Sequence, residues 1–305
     1  MRIFAGTAAF LLCGWGTVAH GQAAGGVANP SFEIGEKTPK GWSLSKGEGA
    51  WLKTGGLENG ACVTVEGDGK SDGAWLSDPV TFLPAHVYRL SFSSRGEDAG
   101  GGTAVSGPAF ANVDVGIPGK EWAPYENVFA APFRKDDLTV PLHLGQWQLK
   151  GKLFFDDVRL VPVQPVYSAA EGLVLGAGEQ VEGNAYSFDA PLASECRNHS
   201  RPLAGFTAHF NSDRWCFGEG AAVTYRHALA GRRFLSGALD VSCGYHVSGR
   251  LLVDVSPDAK TWQHVGVLTN TGGLKVDLPK ALFPSEAVYV HLRGGKAPCS
   301  FQVWG

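Results

Sequence analysis

An all-β protein, built as two tandem β-sandwiches behind an export signal, is what this chain of 305 residues predicts. Three observations lead there. Apolar and polar residues alternate with period two along much of the chain, while helical periodicity is almost absent beyond the first two dozen residues. Glycine is abundant at 42 residues and charged residues make up 18%, below the usual quarter or so, which favours turn-rich β structure. The length exceeds one sandwich and suits two, since domains cluster at about 100 to 150 residues.

The elements follow in chain order. Met1-Arg2-Ile3-Phe4 leads into Ala8-Ala9-Phe10-Leu11-Leu12 and then small residues up to Ala23, the layout of a signal peptide over residues 1–23. A membrane anchor would need about 20 continuous apolar residues, and this run is shorter and broken by glycines. Leu12 precedes Cys13 where a lipoprotein needs a small residue. The mature chain is therefore expected outside the cytoplasm, extracellular or periplasmic, with no membrane insertion.

Residues 24–161 form the first expected module. Tyr88-Arg89-Leu90-Ser91-Phe92-Ser93 alternates most cleanly, and Cys62–Val65, Leu138–Leu144 and Val158–Leu160 read likewise, with Pro141 implying an edge or a bulge. The stretch from Gly96 to Gly107, containing Gly100-Gly101-Gly102, reads as a long mobile connection. Pro162 and Pro165 stiffen a linker over 162–170. The second module, 171–305, carries strands at Ala222–Tyr225, Leu251–Ser256 and Val288–Arg293, and Phe301 to Gly305 alternates like a last strand. On Val288–Arg293 the apolar residues face inward, which sets Tyr289, His291 and Arg293 on the other face as the floor of a polar site or as a plain solvated surface.

Removal of Arg2 leaves 25 Lys plus Arg against 29 Asp plus Glu, a mildly acidic chain with nothing that invites nucleic acid. Export places Cys62, Cys196, Cys216, Cys243 and Cys299 where disulfides can form. Cys62 is the odd one out, and pairing Cys196 with Cys216 and Cys243 with Cys299 is one of three ways to join the others; no disulfide at all is equally open. No Cys-x-x-Cys or paired-His spacing supports zinc. His-Glu-x-x-His, Gly-x-Ser-x-Gly and phosphate-cradling glycine loops are absent, so no catalytic motif stands out. Asp136-Asp137 and Glu97-Asp98 are adjacent acids, which point apart on a strand or line a solvated loop. Asn198-His199-Ser200 fits a glycosylation sequon in form.

Nine tryptophans supply what sugar recognition needs, since the apolar faces of sugar rings lie on flat aromatics while amide, guanidinium and carboxylate groups fix their hydroxyls. Trp51, Trp75, Trp122 and Trp147 are the candidates in the first module, with Tyr125 beside them and Arg95 as a polar partner. Leu142 and Leu144 point to the core, which puts His143 and Trp147 on the opposite face; Gln146 joins them if the strand bends. Trp42 is assigned to the core. In the second module Trp215, Tyr225, Tyr245, His246 and Trp262 are aromatic candidates, with Arg226 and Arg293 as polar partners.

Asn29-Pro30-Ser31-Phe32-Glu33, the Gly41-Trp42 pair, the strand Tyr88–Phe92 and Phe155-Asp156-Asp157-Val158, in that order and spacing, resemble the CenC-like carbohydrate-binding modules over residues 28–161. The resemblance implies a jelly-roll sandwich that holds a polysaccharide on a concave face or edge loops, and a structural calcium near the two chain ends. Glu33 and Asp156 are the carboxylates suited to that metal, which takes several hard oxygen ligands. Val253-Asp-Val-Ser-Pro-Asp258 with Thr261-Trp262 is similar, more weakly, to galactose-binding-like discoidin sandwiches over 168–305, with Ala259 where the family phrase has glycine. The expectation is a secreted, non-catalytic protein that attaches to polysaccharide or cell-surface glycan and holds a catalytic domain or partner protein there. A jelly-roll lyase or glycoside hydrolase, or a protein-binding adhesion module, are the alternatives.

Overall fold

The computed structural model describes residues 26–170, 172–193, 198–295 and 301–304. The expected signal peptide and both Cys196 and Cys299 lie outside the described residues. Among the described residues there is no α-helix; two short 3-10 turns, Leu57–Asn59 and Lys280–Leu282, interrupt an otherwise all-β chain.

The first module is two antiparallel sheets face to face. Its front sheet runs Trp42–Lys46, Asp72–Ser77, Leu142–Trp147, Thr103–Pro108, Ala111–Gly116, and its back sheet runs Glu48–Leu52, Cys62–Asp68, Lys150–Val163, Val87–Gly100, Ala123–Ala130. The core between them is aromatic: Phe32, Trp42, Phe82, Tyr88, Phe129 and Phe155 are all buried. Phe32 packs on Trp42 at 5.1 Å and Phe82 meets Tyr88 edge-on at 5.1 Å. Trp42 lies in the core, as expected, and Phe32 is buried beside it.

Alternation places the strands where expected, with two corrections. Leu138–Leu144 breaks at Pro141 into Leu138–Val140, paired with Val80–Phe82, and Leu142–Trp147 in the front sheet, because proline cannot continue the ladder. The glycine-rich segment expected to be a long mobile connection is instead a tight two-residue crossover from the back sheet to the front sheet. Strands Val87–Gly100 and Thr103–Pro108 leave only Gly101 and Gly102 between them, at φ 62° and 57°, a geometry that glycine adopts without strain. The strand Lys150–Val163 runs through Pro162, so the connection to the second module starts after Val163.

The second module sets a five-stranded sheet, Leu203–Phe206, Ala222–Ala228, Ala287–Gly294, Leu251–Ser256, Gln263–Leu268, against the ribbon Ala238–Cys243 with Gly272–Asp277 and a short sheet containing His209–Asn211, Arg214–Phe217, Phe301–Trp304 and Tyr245–His246. Val288, Val290 and Leu292 are buried, as the alternation of that strand requires.

The modules are not beads on a string. His209–Asn211 pairs parallel with Ala111–Gly116, in the register Phe210 to Ala111 and Asn211 to Asn112, so the front sheet of the first module continues into the second as one nine-stranded sheet. Elsewhere Asn198 clamps the first module, its side-chain oxygen accepting from Ala130 N at 2.9 Å and its amide donating to Ala130 O at 3.1 Å. Asn198 is fully buried by this contact, which removes it as a glycosylation acceptor.

Candidate functional site

The front sheet of the first module carries a groove of about 500 Å³ on its outer side. Register explains its floor. His143 lies opposite Leu76 and Gly107, Gly145 opposite Ala74 and Val105, and Trp147 opposite Asp72 and Thr103, so these residues share the face turned away from the core. Small residues in the middle row keep the floor low. At one end Trp147 stands 54% exposed, a flat apolar surface turned to solvent. Lys46 and Asp72 form an exposed ion pair at 2.8 Å on the adjoining rim.

At the other end sits a polar row that crosses the module boundary. Burial pushes the His143 imidazole down to about 4, so it is neutral at pH 7. Its Nε2 lies 2.8 Å from Asn112 Oδ1. An amide oxygen only accepts, which puts the proton on Nε2. The Asn112 amide then donates to Asn211 Oδ1 at 2.8 Å, and Ser212 Oγ accepts from Asp114 N at 2.9 Å. Arg214, held by Asp213 at 2.8 Å, completes the wall. A groove with an aromatic platform at one end and amide, imidazole, carboxylate and guanidinium groups at the other has the chemistry to bind a sugar chain.

Of the expected sugar contacts, only Trp147 lies in this groove. Trp75 is a correction: it is 3% exposed, packs in the core, and spans the sandwich by donating its indole N–H to Thr64 O at 2.9 Å. Its strand, Asp72–Ser77, turns it inward opposite Leu144. Trp51 is half-buried against the N-terminal arm, with Nε1 donating to Phe32 O at 2.9 Å and Lys53 Nζ 3.1 Å over its ring. Arg95 and Trp122 do meet, but on the outer side of the back sheet, where the guanidinium lies 3.6 Å over Phe154 and 5.5 Å from Trp122 and pairs with Glu97 at 2.6 Å. Tyr125 stacks on buried Phe92 at 5.8 Å. Gln146 is buried, its strand staying straight, and accepts from Leu149 N at 2.8 Å. Asn112, Asn211 and Arg214 were not among the expected contacts.

Glu33 and Asp156 converge on the loop 56–61. Glu33 Oε1 accepts from Ala61 N at 2.8 Å, Asp156 Oδ2 from Leu57 N at 2.8 Å and Asp156 Oδ1 from Asp157 N at 2.7 Å. A Cβ on Gly56 or Gly60 would collide with these carboxylates, so glycine is what lets the backbone close on them. Burial above all raises the Asp156 pKa, with the Glu33 charge adding to it against the two N–H bonds that lower it. Two carboxylates are fewer than calcium's six to eight oxygens, so backbone carbonyls or water would have to supply the rest. Among the described residues no third His, Cys, Asp or Glu joins the pair.

In the second module the aromatic candidates part company. Trp215 and Tyr225 are buried and bonded to each other, indole N–H to hydroxyl at 2.9 Å. Trp262 is 37% exposed and leans on His291 at 5.1 Å. It shares the outer sheet face with Arg226, which donates to the Tyr289 hydroxyl at 3.0 Å, and with Arg293, which pairs with Asp254 at 3.2 Å. Asp254 also meets His264 at 2.8 Å. The expected polar face of the strand Ala287–Gly294 is therefore a networked one. Cys62 is a buried thiol whose pKa burial pushes up to about 11, with no disulfide among the described residues.

Neither a family profile nor a curated protein matches this chain. Among solved structures it is similar to the CBM22-1–CBM22-2 tandem of Paenibacillus barcinonensis Xyn10C, at 8% identity over 93% of this chain and 97% of that one, TM-score 0.36. It is also similar to TmCBM61, solved in complex with β-1,4-galactotriose, at 20% identity over 47% of this chain and all of that one, TM-score 0.32. A CBM4 module is similar at 12% identity over 45% of this chain and 99% of that one, TM-score 0.35. These likenesses are too distant to assign a ligand or a residue role.

Proposed function

We propose that the protein is a secreted, non-catalytic carbohydrate-binding protein whose front-sheet groove holds a polysaccharide chain, with Trp147 as the platform for one sugar ring. The observation that carries this reading is an exposed tryptophan at the end of a groove whose far wall is a fixed row of hydrogen-bonding groups, His143, Asn112 and Asn211. Mutual hydrogen bonds hold that half-buried row in place, so little ordering entropy is lost when hydroxyls replace water there. A calcium held by Glu33 and Asp156 with backbone carbonyls would be structural and remote from the groove.

Calorimetry of the mature protein against soluble xylan, galactan, mannan and mixed-linkage glucan tests the function, with reducing-end and unsaturated-product assays run alongside. Binding to at least one is expected without product release. Trp147→Ala should weaken it by about tenfold or more, while Trp122→Ala, on the opposite side of the sandwich, leaves it unchanged. Full affinity in Trp147→Ala would remove the groove from the account, and released sugar would replace a binder with an enzyme.

A further inference from the structure

A second cavity, about 590 Å³, opens between the two layers of the second module. Its volume lies in the range of small-molecule sites. Phe188, Trp215, Tyr225, Val241, Phe283 and Val290 make most of its lining apolar, which suits a ring system, while Asp189, Asp240 and three serines also line it.

One end is different. Arg201 grips the buried Glu179 with two guanidinium nitrogens. Burial raises the Glu179 pKa, but the Arg201 fork, the Gly176 N–H and the Tyr186 hydroxyl outweigh it, and the net shift is downward. Glu179 is thus an ionised acceptor, and Tyr186 spends its one proton on it at 2.8 Å. The Tyr186 oxygen lies 3.1 Å from His227 Nδ1 and can only accept there, so the His227 proton sits on Nδ1. Nε2 is left as a bare acceptor with no protein partner among the described residues. Burial holds this imidazole down at about 4, which keeps it neutral.

Two residues before it on the same strand face, Tyr225 accepts from Trp215 Nε1 at 2.9 Å, and its own proton has no acceptor among the described residues. Both His227 and Tyr225 line the cavity. A largely apolar chamber therefore presents, on one strand face, an acceptor at His227 and a donor at Tyr225 that the protein leaves unused among the described residues.

We infer that this cavity binds a small aromatic or alicyclic molecule bearing a hydroxyl, which donates to His227 Nε2 and accepts from Tyr225. The site is independent of the front-sheet groove and needs no polysaccharide.

The test is calorimetry of the full mature protein with 4-ethylphenol and with 4-ethylanisole, its methyl ether, which keeps the acceptor oxygen and lacks the proton. Saturable one-to-one binding is expected for both, with the phenol preferred by about tenfold, the size of one buried hydrogen bond. His227→Phe keeps the ring and should erase the preference while leaving the ether's affinity as it was. Tyr186→Phe, which frees the imidazole to rotate and change tautomer, should shrink the preference and serves if His227→Phe does not fold. Val290→Trp, which fills the chamber, should abolish both. Failure of either probe to saturate, equal affinities in the wild type, or a preference that survives in the His227 and Tyr186 variants would overturn the assignment.

Discussion

His143 shows how much one buried imidazole fixes. In the unfolded chain it titrates near 6.5, whereas in the fold it stays neutral down to about 4. Between those values the unfolded state binds the extra proton, so stability falls as pH drops from about 6.5 to 4. His227 in the second module has the same sign and window. Asp156 has the opposite sign: its raised pKa lets the folded state take a proton first, which recovers stability as pH falls through its folded value. Melting temperature measured from pH 7 to pH 4.5 should therefore decline, and decline less in His143→Gln. An equal slope in that variant would show that the imidazole is protonated in the fold. The two tryptophans that sequence treated alike separate at this scale for a readable reason. Trp147 follows from the inward Leu142 and Leu144 by simple alternation, whereas both faces of Asp72–Ser77 carry apolar side chains, and nothing local marks Trp75 as the inner one.

At the scale of elements, the loop 56–61 is the informative one. It is short, glycine-flanked and tied to Glu33 and Asp156 from the two ends of the module. The N–H bonds alone make it a latch that joins the segment before the first strand to the strand Lys150–Val163, and a calcium would add to the same latch. A chelator separates the two. If metal contributes, melting temperature should drop by several degrees in EDTA and return with excess calcium, since anything bound only by the native state stabilises it by mass action. An unchanged transition would leave the latch to hydrogen bonds. The juxtaposition of Glu33 and Asp156 was legible because their short motifs sit at the two ends of one module. The other half, the loop that closes on them, was not, because Gly56 and Gly60 look like any turn glycines until their neighbours are known. The crossover at Gly101-Gly102 was misread for the same reason: three glycines in a row look mobile, yet two of them supply the positive φ angles of a two-residue step between the sheets.

For the whole molecule, the shared sheet decides behaviour. Two sandwiches joined by a flexible tether would unfold separately. Here Phe210 N bonds to Phe110 O at 2.8 Å, Ser212 N to Asn112 O at 2.8 Å and Phe133 N to Phe206 O at 2.9 Å, and Asn198 is buried in the joint. Scanning calorimetry should show one cooperative transition, with van't Hoff and calorimetric enthalpies in agreement; two resolved peaks would mean that the joint opens before either module melts. Composition and alternation were enough to read two β-sandwiches, because each strand carries its own pattern. The joint was invisible, because Asn211 and Arg214 reach the groove only through a pairing with Ala111–Gly116 that lies about a hundred residues away in sequence and leaves no local trace.

That pairing has one more consequence. Ala111–Gly116 is the last strand of the first module's front sheet, and without its neighbour it would offer a row of bare N–H and C=O groups to any passing chain. The second module acts as a stopper on that border, pairing with it where another chain's strand could otherwise add edge to edge. Separated from its stopper, the first module would be sticky along that one border, and its tendency to form fibres would measure how much of the second module exists to keep the first one solitary.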